Sequence, residues 1–146
     1  MKRVLVLTYL VVALSAAAAE PQDIKVVIVA NRDVREDVSL LLVRKAFLGI
    51  PARTDGVTLK AIRNTSDARL NAVFLQTVVA MSEHSYDRRL LTATLQRGVP
   101  LPAEIAQPDE LVRTVERTPG ALSYMWYRDA KRHPALRIVR VIWQSD

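Results

Sequence analysis

A nearly continuous apolar segment at residues 24–30 begins the regular pattern of this chain. Its residues are mostly β-branched, which is typical of a strand that is buried on both faces of a sheet. Three further segments of similar character, separated by turn residues and polar stretches, predict strands at residues 59–63, 122–126 and 136–143.

Between these segments, apolar residues recur at the three- and four-residue spacing of one helix face. Four helices are predicted, at residues 40–48, 67–81, 83–97 and 109–117. Ser39, Ser66 and Ser82 precede the first three helices and are suited to serve as N-caps, and Pro108 opens the fourth. Strands that alternate with helices predict an α/β fold, with a mainly parallel or mixed sheet flanked by helices.

The first residues of the chain follow a different pattern. A basic start at residues 1–3 leads into an apolar run at residues 4–14 and then into small residues at 15–19. This layout predicts a secretory signal peptide at residues 1–19, cleaved to leave a single domain at residues 20–146. The alternative, an uncleaved membrane anchor, is disfavoured because the run is shorter than the roughly 20 apolar residues of a spanning helix. We therefore expect a periplasmic protein with no stable membrane span.

The chain of 146 residues contains no cysteine and two histidines. Without cysteine there is no disulfide, no thiol nucleophile and no lipid-modified cysteine, so we expect a soluble exported protein that is not a lipoprotein. His84 and His133 are far apart in sequence, which gives neither metal-ligand spacing nor a set of nucleophile, histidine and acid. We expect no metal, no cofactor and no catalysis, and a hydrolase is the weakest interpretation.

The charge of the chain points to anionic partners. The 21 basic residues outnumber the 15 acidic ones, for a net charge of +6. A basic exported domain favours anionic ligands, envelope surfaces or acidic partners. The basic cluster at residues 128–133 fits a solvated turn or an anionic surface, and it lacks the interleaved aromatic residues of a nucleic-acid site. The aromatic run at residues 124–127 fits core packing or, alternatively, a partner patch.

One junction in the chain carries candidate chemistry. Residues 59–69 run from a strand through a short loop into a helix, and the first turn of a helix presents free N–H groups and a partial positive charge. Arg63 and Arg69 add two guanidinium groups suited to phosphate or carboxylate, and Thr65 and Ser66 add hydroxyl donors. The pattern predicts a small-anion site at these four residues.

A plain strand-to-helix junction is the alternative interpretation of the same segment. In it Ser66 is only an N-cap, the arginines are solvated, and Asp67 complements the helix dipole. Asp67 also weighs against an anion, because its carboxylate competes for the same N–H groups. From these residues alone both interpretations stay open.

Several short motifs occur in an order that resembles one protein family. They are Ala-Phe-Leu-Gly at residues 46–49, Asp-Gly at 55–56, Arg63 followed by Ser66 to Arg69, Phe74, and Thr-Pro-Gly-Ala-Leu-Ser-Tyr at 118–124. Together they resemble the small single-domain relatives of periplasmic phosphate-binding proteins, which are the substrate-binding components of phosphate ABC transporters. The resemblance covers most of the chain that follows the predicted signal peptide.

The resemblance implies a reduced periplasmic-binding-protein-like domain of type 2, with a non-catalytic role in binding a small oxyanion, phosphate first. By position, Arg63, Ser66 and Arg69 match the arginine and the Ser-Gly-Thr-Arg turn with which the family holds phosphate. Asp67 and Ala68 stand where the family has Gly and Thr, and the chain is about half the length of a two-lobed binding protein, which implies either one lobe or a reduced pair of lobes. The alternative is therefore an accessory module that kept the fold, lost the ligand and contacts an envelope transporter or sensor protein.

Overall fold

The computed structural model describes residues 24–35 and 37–146. The predicted signal peptide lies outside these residues, so its presence and its cleavage stay predictions. In the described part of the chain, no helix combines the length and the apolar character that a membrane span requires.

Strands and helices alternate along most of the described chain, as the hydrophobic pattern predicts. The strands are β1 (Lys25–Ala30), β2 (Arg53–Thr54), β3 (Val57–Thr58), β4 (Lys60–Asn64), β5 (Ala103–Ile105), β6 (Ala121–Trp126) and β7 (Arg137–Gln144). The helices are α1 (Leu40–Phe47), α2 (Ala68–Phe74), α3 (Glu83–Arg97), α4 (Pro108–Arg117) and α5 (Tyr127–Ala130). A π-helical turn at Leu75–Val79 continues α2.

Five of the strands form one mixed sheet in the order β5-β4-β6-β1-β7. β4 runs parallel to β5 and β6, whereas β1 runs antiparallel to β6 and β7. β2 and β3 form a separate hairpin, with Asp55 and Gly56 at its turn. The mixed sheet flanked by helices confirms the predicted α/β class.

β1 is buried on both faces, as its apolar sequence predicts. Val26 and Ile28 belong to a first core that includes buried side chains of α1, α2 and α3. Val27 and Val29 belong to a second core with side chains of α4 and α5. The sheet therefore separates two layers of helices, with α3 on one side and α4 on the other.

The helix starts follow the predicted caps with one exception. Ser39 and Ser82 accept hydrogen bonds from first-turn amides and cap α1 and α3 as predicted. The prediction that Ser66 caps the second helix is wrong, because the Asp67 carboxylate takes that role and α2 begins at Ala68. Asp67 caps α2 because its carboxylate accepts hydrogen bonds from two amides of the first turn.

The continuous helix predicted at residues 67–81 is also wrong in its second half. α2 widens into the π-helical turn, which ends at Ala80 with a φ of +55°. The Thr77 hydroxyl donates to the Val73 carbonyl oxygen at 2.7 Å where the helix widens, a side-chain bond that competes with regular helical pairing. The short strand β5 was not expected, because it has only three residues and follows the Pro-rich connector at residues 98–102.

Candidate functional site

The candidate site lies at the edge of the sheet where the neighbouring parallel strands β4 and β6 both end. Asn64, the last residue of β4, is buried and fixes the loop that follows. Its Nδ2 donates to the Tyr124 carbonyl oxygen at 2.8 Å, and its Oδ1 accepts hydrogen bonds from the amide and the hydroxyl of Ser66. Sequence reasoning missed Asn64, although a polar residue that closes a buried strand is a usable signal.

Asp67 fills the helix terminus that the sequence suggested for an anion. Its Oδ1 accepts hydrogen bonds from the amides of Arg69 at 2.9 Å and Leu70 at 3.0 Å, and its Oδ2 accepts one from Trp126 Nε1 at 2.9 Å. The Leu70 amide lowers the pKa of Asp67 most, and the Trp126 indole adds to that effect. An external anion has to displace this carboxylate to reach the two amides.

We expect Asp67→Ala to lower the free energy of unfolding by about 2 kcal/mol at neutral pH, because a helix cap and the partner of a buried indole N–H are lost together. The pKa of Asp67 in the folded protein lies below its ordinary value of 3.8, so its contribution is complete above that value. The contribution is lost as the pH falls below 3.8 toward the folded-state pKa. Urea unfolding on both sides of this pH measures the difference, which shrinks at the lower pH.

Asp67→Asn is the matched control for this prediction, because it keeps an acceptor oxygen and removes the titrating group. At neutral pH, its free energy of unfolding is expected to lie between that of the parent protein and that of Asp67→Ala. An alanine variant as stable as the parent at neutral pH contradicts the assigned capping role.

Arg63 is buried beneath a group of carboxylates, with 3% of its surface exposed. Its Nη1 donates to Asp87 at 2.9 Å and also to Glu104, and its Nη2 lies 3.9 Å from Glu83. The guanidinium lies 4.8 Å from the centre of the Tyr86 ring. Burial alone would lower the pKa of Arg63, but Glu104 and the other anionic neighbours outweigh it and raise the pKa. The charge of Arg63 is therefore already matched by protein carboxylates.

The four predicted site residues lie in different surroundings. Arg63 contacts carboxylates, and Thr65 is exposed. Arg69 is exposed, with its guanidinium 5.8 Å from the centre of the Trp126 ring. Of the four, Ser66 alone lines the cavity beside this loop. Anion binding by Arg63, Thr65, Ser66 and Arg69 stays a prediction.

A cavity of about 330 Å³ opens beside Ser66, at the carboxyl ends of β4 and β6. Three basic residues line it, Arg128, Arg132 and His133, and three carboxylates lie among them, Asp67, Asp109 and Asp129. The first residues of α4 also form part of the wall, and that helix starts without a side-chain cap. The cavity thus combines positively charged side chains with both hydrogen-bond donors and hydrogen-bond acceptors.

Sequence reasoning gave the basic cluster at residues 128–133 two interpretations, a solvated turn or contact with an anionic surface. The structure places Arg128, Arg132 and His133 on the cavity wall. A signal for this was present, since the cluster directly follows β6 and the ends of parallel strands are where ligands meet open α/β sheets. Within the described residues, no three histidine or acidic side chains are placed to hold a metal ion.

Comparison with solved structures finds PstS from Borrelia burgdorferi, with a TM-score of 0.56 and 11% sequence identity. The match covers 80% of this chain and 47% of the other, so this chain spans about half the length of that PstS. No family model matches the chain, and no curated protein matches its sequence. At this identity the likeness concerns the fold alone: the chain shares a mixed α/β fold with part of PstS.

Proposed function

We propose that this chain is a single-lobe, type 2 periplasmic-binding-protein-like domain that binds a small oxyanion, phosphate first, and catalyses no reaction. The proposed ligand site is the cavity beside Ser66. The observation that carries the proposal is the meeting of Arg128, Arg132 and His133 with Ser66 at the carboxyl ends of two parallel strands. The fold shared with PstS and the sequence resemblance to phosphate-binding proteins support the same class of ligand.

The two arginines supply the anion chemistry of the cavity. A guanidinium binds two oxygens of a phosphate through parallel hydrogen bonds, and it keeps its charge at any relevant pH. Arg128 and Arg132 lie 3.9 and 3.7 Å from the Asp129 carboxylate, with 68% and 74% of their side chains exposed. Such exposed pairs are weak, so a bound oxyanion replaces them at little cost.

The three carboxylates of the cavity bias the choice among oxyanions. A carboxylate only accepts hydrogen bonds. It therefore repels sulfate, which carries no proton at neutral pH, and accepts a hydrogen bond from the proton of hydrogen phosphate. Asp67, Asp109 and Asp129 thus favour phosphate over sulfate, although the two ions have similar size and charge.

Replacing Arg128 and Arg132 together by glutamine is expected to weaken phosphate binding about tenfold or more, because two charge-assisted contacts are lost. Calorimetric titration with phosphate, and with sulfate at matched ionic strength, measures the affinity. Arg113→Gln with Arg117→Gln is the matched control, since it removes the same charge from exposed residues of α4 that do not line the cavity. Arg69→Gln tests the site predicted from sequence.

The outcomes separate the two anion sites. Loss of binding in the cavity variant, with binding kept in the control and in Arg69→Gln, supports the cavity. Loss in Arg69→Gln with binding kept in the cavity variant places the anion at the start of α2. A parent protein that gives no heat with phosphate or sulfate rules out the oxyanion function.

A ligand-free interaction module is the second candidate function, and two observations favour it. Asp67 occupies the amides of α2, and Arg63 is matched by three carboxylates. In this case the domain acts through contact with an envelope transporter or sensor protein. No heat with phosphate, together with one stoichiometric partner from envelope extract, identifies this function.

Both candidates share the proposed periplasmic location, after removal of residues 1–19. The mass of the protein recovered from the periplasmic fraction tests this point. A chain that begins at Glu20 is the expected result, and an intact chain retained with the membranes contradicts it.

A further inference from the structure

The cavity beside Ser66 is larger than a bare oxyanion requires. Its volume is about 330 Å³. A phosphate ion has five heavy atoms, and at about 30 Å³ for each, the volume that a water molecule takes in the liquid, the ion fills less than half of this space. Pockets of about 300–1,000 Å³ are typical of organic ligands. The cavity therefore leaves room for a carbon-containing body beside one phosphate group.

Apolar side chains make up much of the surface of the cavity. Six of its fourteen lining residues are apolar, and we call them the apolar wall: Leu70, Pro108, Leu111, Val112, Met125 and Trp126. They come from the starts of α2 and α4, which lie in opposite layers, and from the end of β6 between them. A bare phosphate ion gains nothing from such side chains, whereas a carbon body is stabilised when it leaves water to contact them.

Trp126 contributes carbon surface to the apolar wall rather than a hydrogen bond. An indole has one donor and no acceptor. That donor, Nε1, is already paired with Asp67 Oδ2 at 2.9 Å. The same contact engages the Asp67 carboxylate, which also accepts the amides of Arg69 and Leu70. The ring of Trp126 is therefore suited to an apolar part of a ligand.

The positive side chains of the cavity lie together on a different wall. Arg128, Arg132 and His133 all belong to α5 and the turn that follows it. In the described part of the chain, the lining residues contributed by α2, α4 and β6 include no basic side chain. A ligand with an anionic group at one end and an apolar body at the other matches this separation.

From these observations we infer that the cavity takes an organic phosphomonoester with an apolar, ring-sized body, in preference to free phosphate. The phosphate group contacts Arg128 and Arg132, and the body lies against Val112, Met125 and Trp126. A monoester fits because its phosphate keeps three terminal oxygens for the two guanidiniums. The inference rests on the proposed oxyanion function and specifies the kind of molecule that carries the oxyanion.

Calorimetric titration of the full chain with inorganic phosphate, methyl phosphate and phenyl phosphate tests this inference. All three present a phosphate group, and only phenyl phosphate has a body large enough to cover the apolar wall. We expect phenyl phosphate to bind about tenfold or more tightly than inorganic phosphate, and methyl phosphate to bind within about threefold of it. Phenol has the ring without the anion, and it is expected to give no heat at concentrations that saturate the protein with phenyl phosphate.

Val112→Thr tests the contribution of the apolar wall. It keeps the shape of the side chain and replaces one methyl group by a hydroxyl. The ratio of the affinities for phenyl phosphate and inorganic phosphate is therefore expected to fall about threefold or more. Val115→Thr is the matched control, because Val115 lies in the same helix and the same core but does not line the cavity. Its affinity ratio is expected to equal that of the parent.

Several results overturn the inference. If phenyl phosphate binds no more tightly than inorganic phosphate, the ligand does not contact the apolar wall, and the oxyanion function still stands. Equal falls of the affinity ratio in the two valine variants show that the preference does not arise in the cavity. Unchanged binding of phenyl phosphate in Arg128→Gln with Arg132→Gln places the ester elsewhere.

Failure of the oxyanion function itself gives a different result. In that case neither inorganic phosphate nor any of the esters gives heat with the parent protein, and both proposals are wrong. The comparison of ligands on the parent decides the inference even if a valine variant does not fold. The thermal midpoint of each variant shows whether it is folded at the temperature of the titration.

Discussion

Gly120→Ala is expected to lower the free energy of unfolding by about 3–5 kcal/mol. Gly120 has a φ of +75°, and a Cβ there would overlap the carbonyl oxygen of Thr58 and lie 3.3 Å from Val57 Cγ1. The backbone cannot easily move aside, because the Gly120 carbonyl accepts the Lys60 amide at 2.8 Å and its amide donates to the Asp33 carboxylate at 3.0 Å. The cost combines backbone strain with an overpacked contact.

Gly56→Ala is the control that isolates the backbone strain. Gly56 has a φ of +81°, and no atom lies within 4 Å of the position that its Cβ would occupy. The expected loss is therefore about 1–2 kcal/mol, the cost of a left-handed backbone conformation for a residue with a side chain. Urea unfolding followed by tryptophan fluorescence measures both variants. If Gly120→Ala and Gly56→Ala lose the same free energy of unfolding, the overlap with Thr58 is relieved in the variant, and the prediction is wrong.

Gly120 also shows what the sequence resemblance detects in this chain. Phe47, Phe74, Gly120 and Tyr124 all lie in the motifs that carry the resemblance, and all four are buried. These motifs therefore specify packing, which explains how a fold shared with part of PstS coexists with 11% sequence identity. The proposed ligand cavity depends instead on residues outside these motifs, such as the exposed Arg128 and Arg132, and packing motifs do not predict those.

The sequence predicts a helix start correctly where the capping residue and the first turn of the helix alone determine the cap. Ser39 and Ser82 cap their helices because each side chain accepts a hydrogen bond from a first-turn amide, from Leu42 and Ser85 respectively. Ser66 has Asp67 as its neighbour, and both are good caps. Trp126, 59 residues further along the chain, holds the Asp67 carboxylate at the start of α2, and no local pattern could predict that contact.

The surroundings of Arg63 could not be predicted from sequence for the same reason. An arginine at the end of a strand, just before a helix, is expected to face a ligand or solvent. Asp87 and Glu104, which neutralise it, are 24 and 41 residues away in sequence and belong to α3 and β5. β5 has only three residues, so the sequence pattern predicts neither this strand nor the position of Glu104 beside Arg63.

Phe74→Ala is the second variant with a large expected effect, a loss of about 3–5 kcal/mol in the free energy of unfolding. The Phe74 side chain is fully buried. Its ring stacks on Tyr124 with centroids 4.0 Å apart, and it meets the rings of Phe47 at 4.7 Å and Tyr86 at 6.1 Å. Phe74→Leu keeps much of the apolar volume and loses the ring contacts, so its expected loss is about 1–2 kcal/mol.

The same aromatic cluster supports the candidate site. The Tyr124 carbonyl accepts the hydrogen bond from Asn64, and Asn64 in turn orients Ser66. A void beside the Tyr124 ring loosens this chain of contacts, so the proposed phosphate binding is expected to be weaker in Phe74→Ala even where the protein remains folded.

Leu95→Ala is the control for the stability prediction. This side chain is 77% exposed, and the variant is expected to keep a free energy of unfolding within about 0.5 kcal/mol of the parent. If Phe74→Ala and Leu95→Ala have the same free energy of unfolding in urea, Phe74 does not contribute to the first core as the structure indicates.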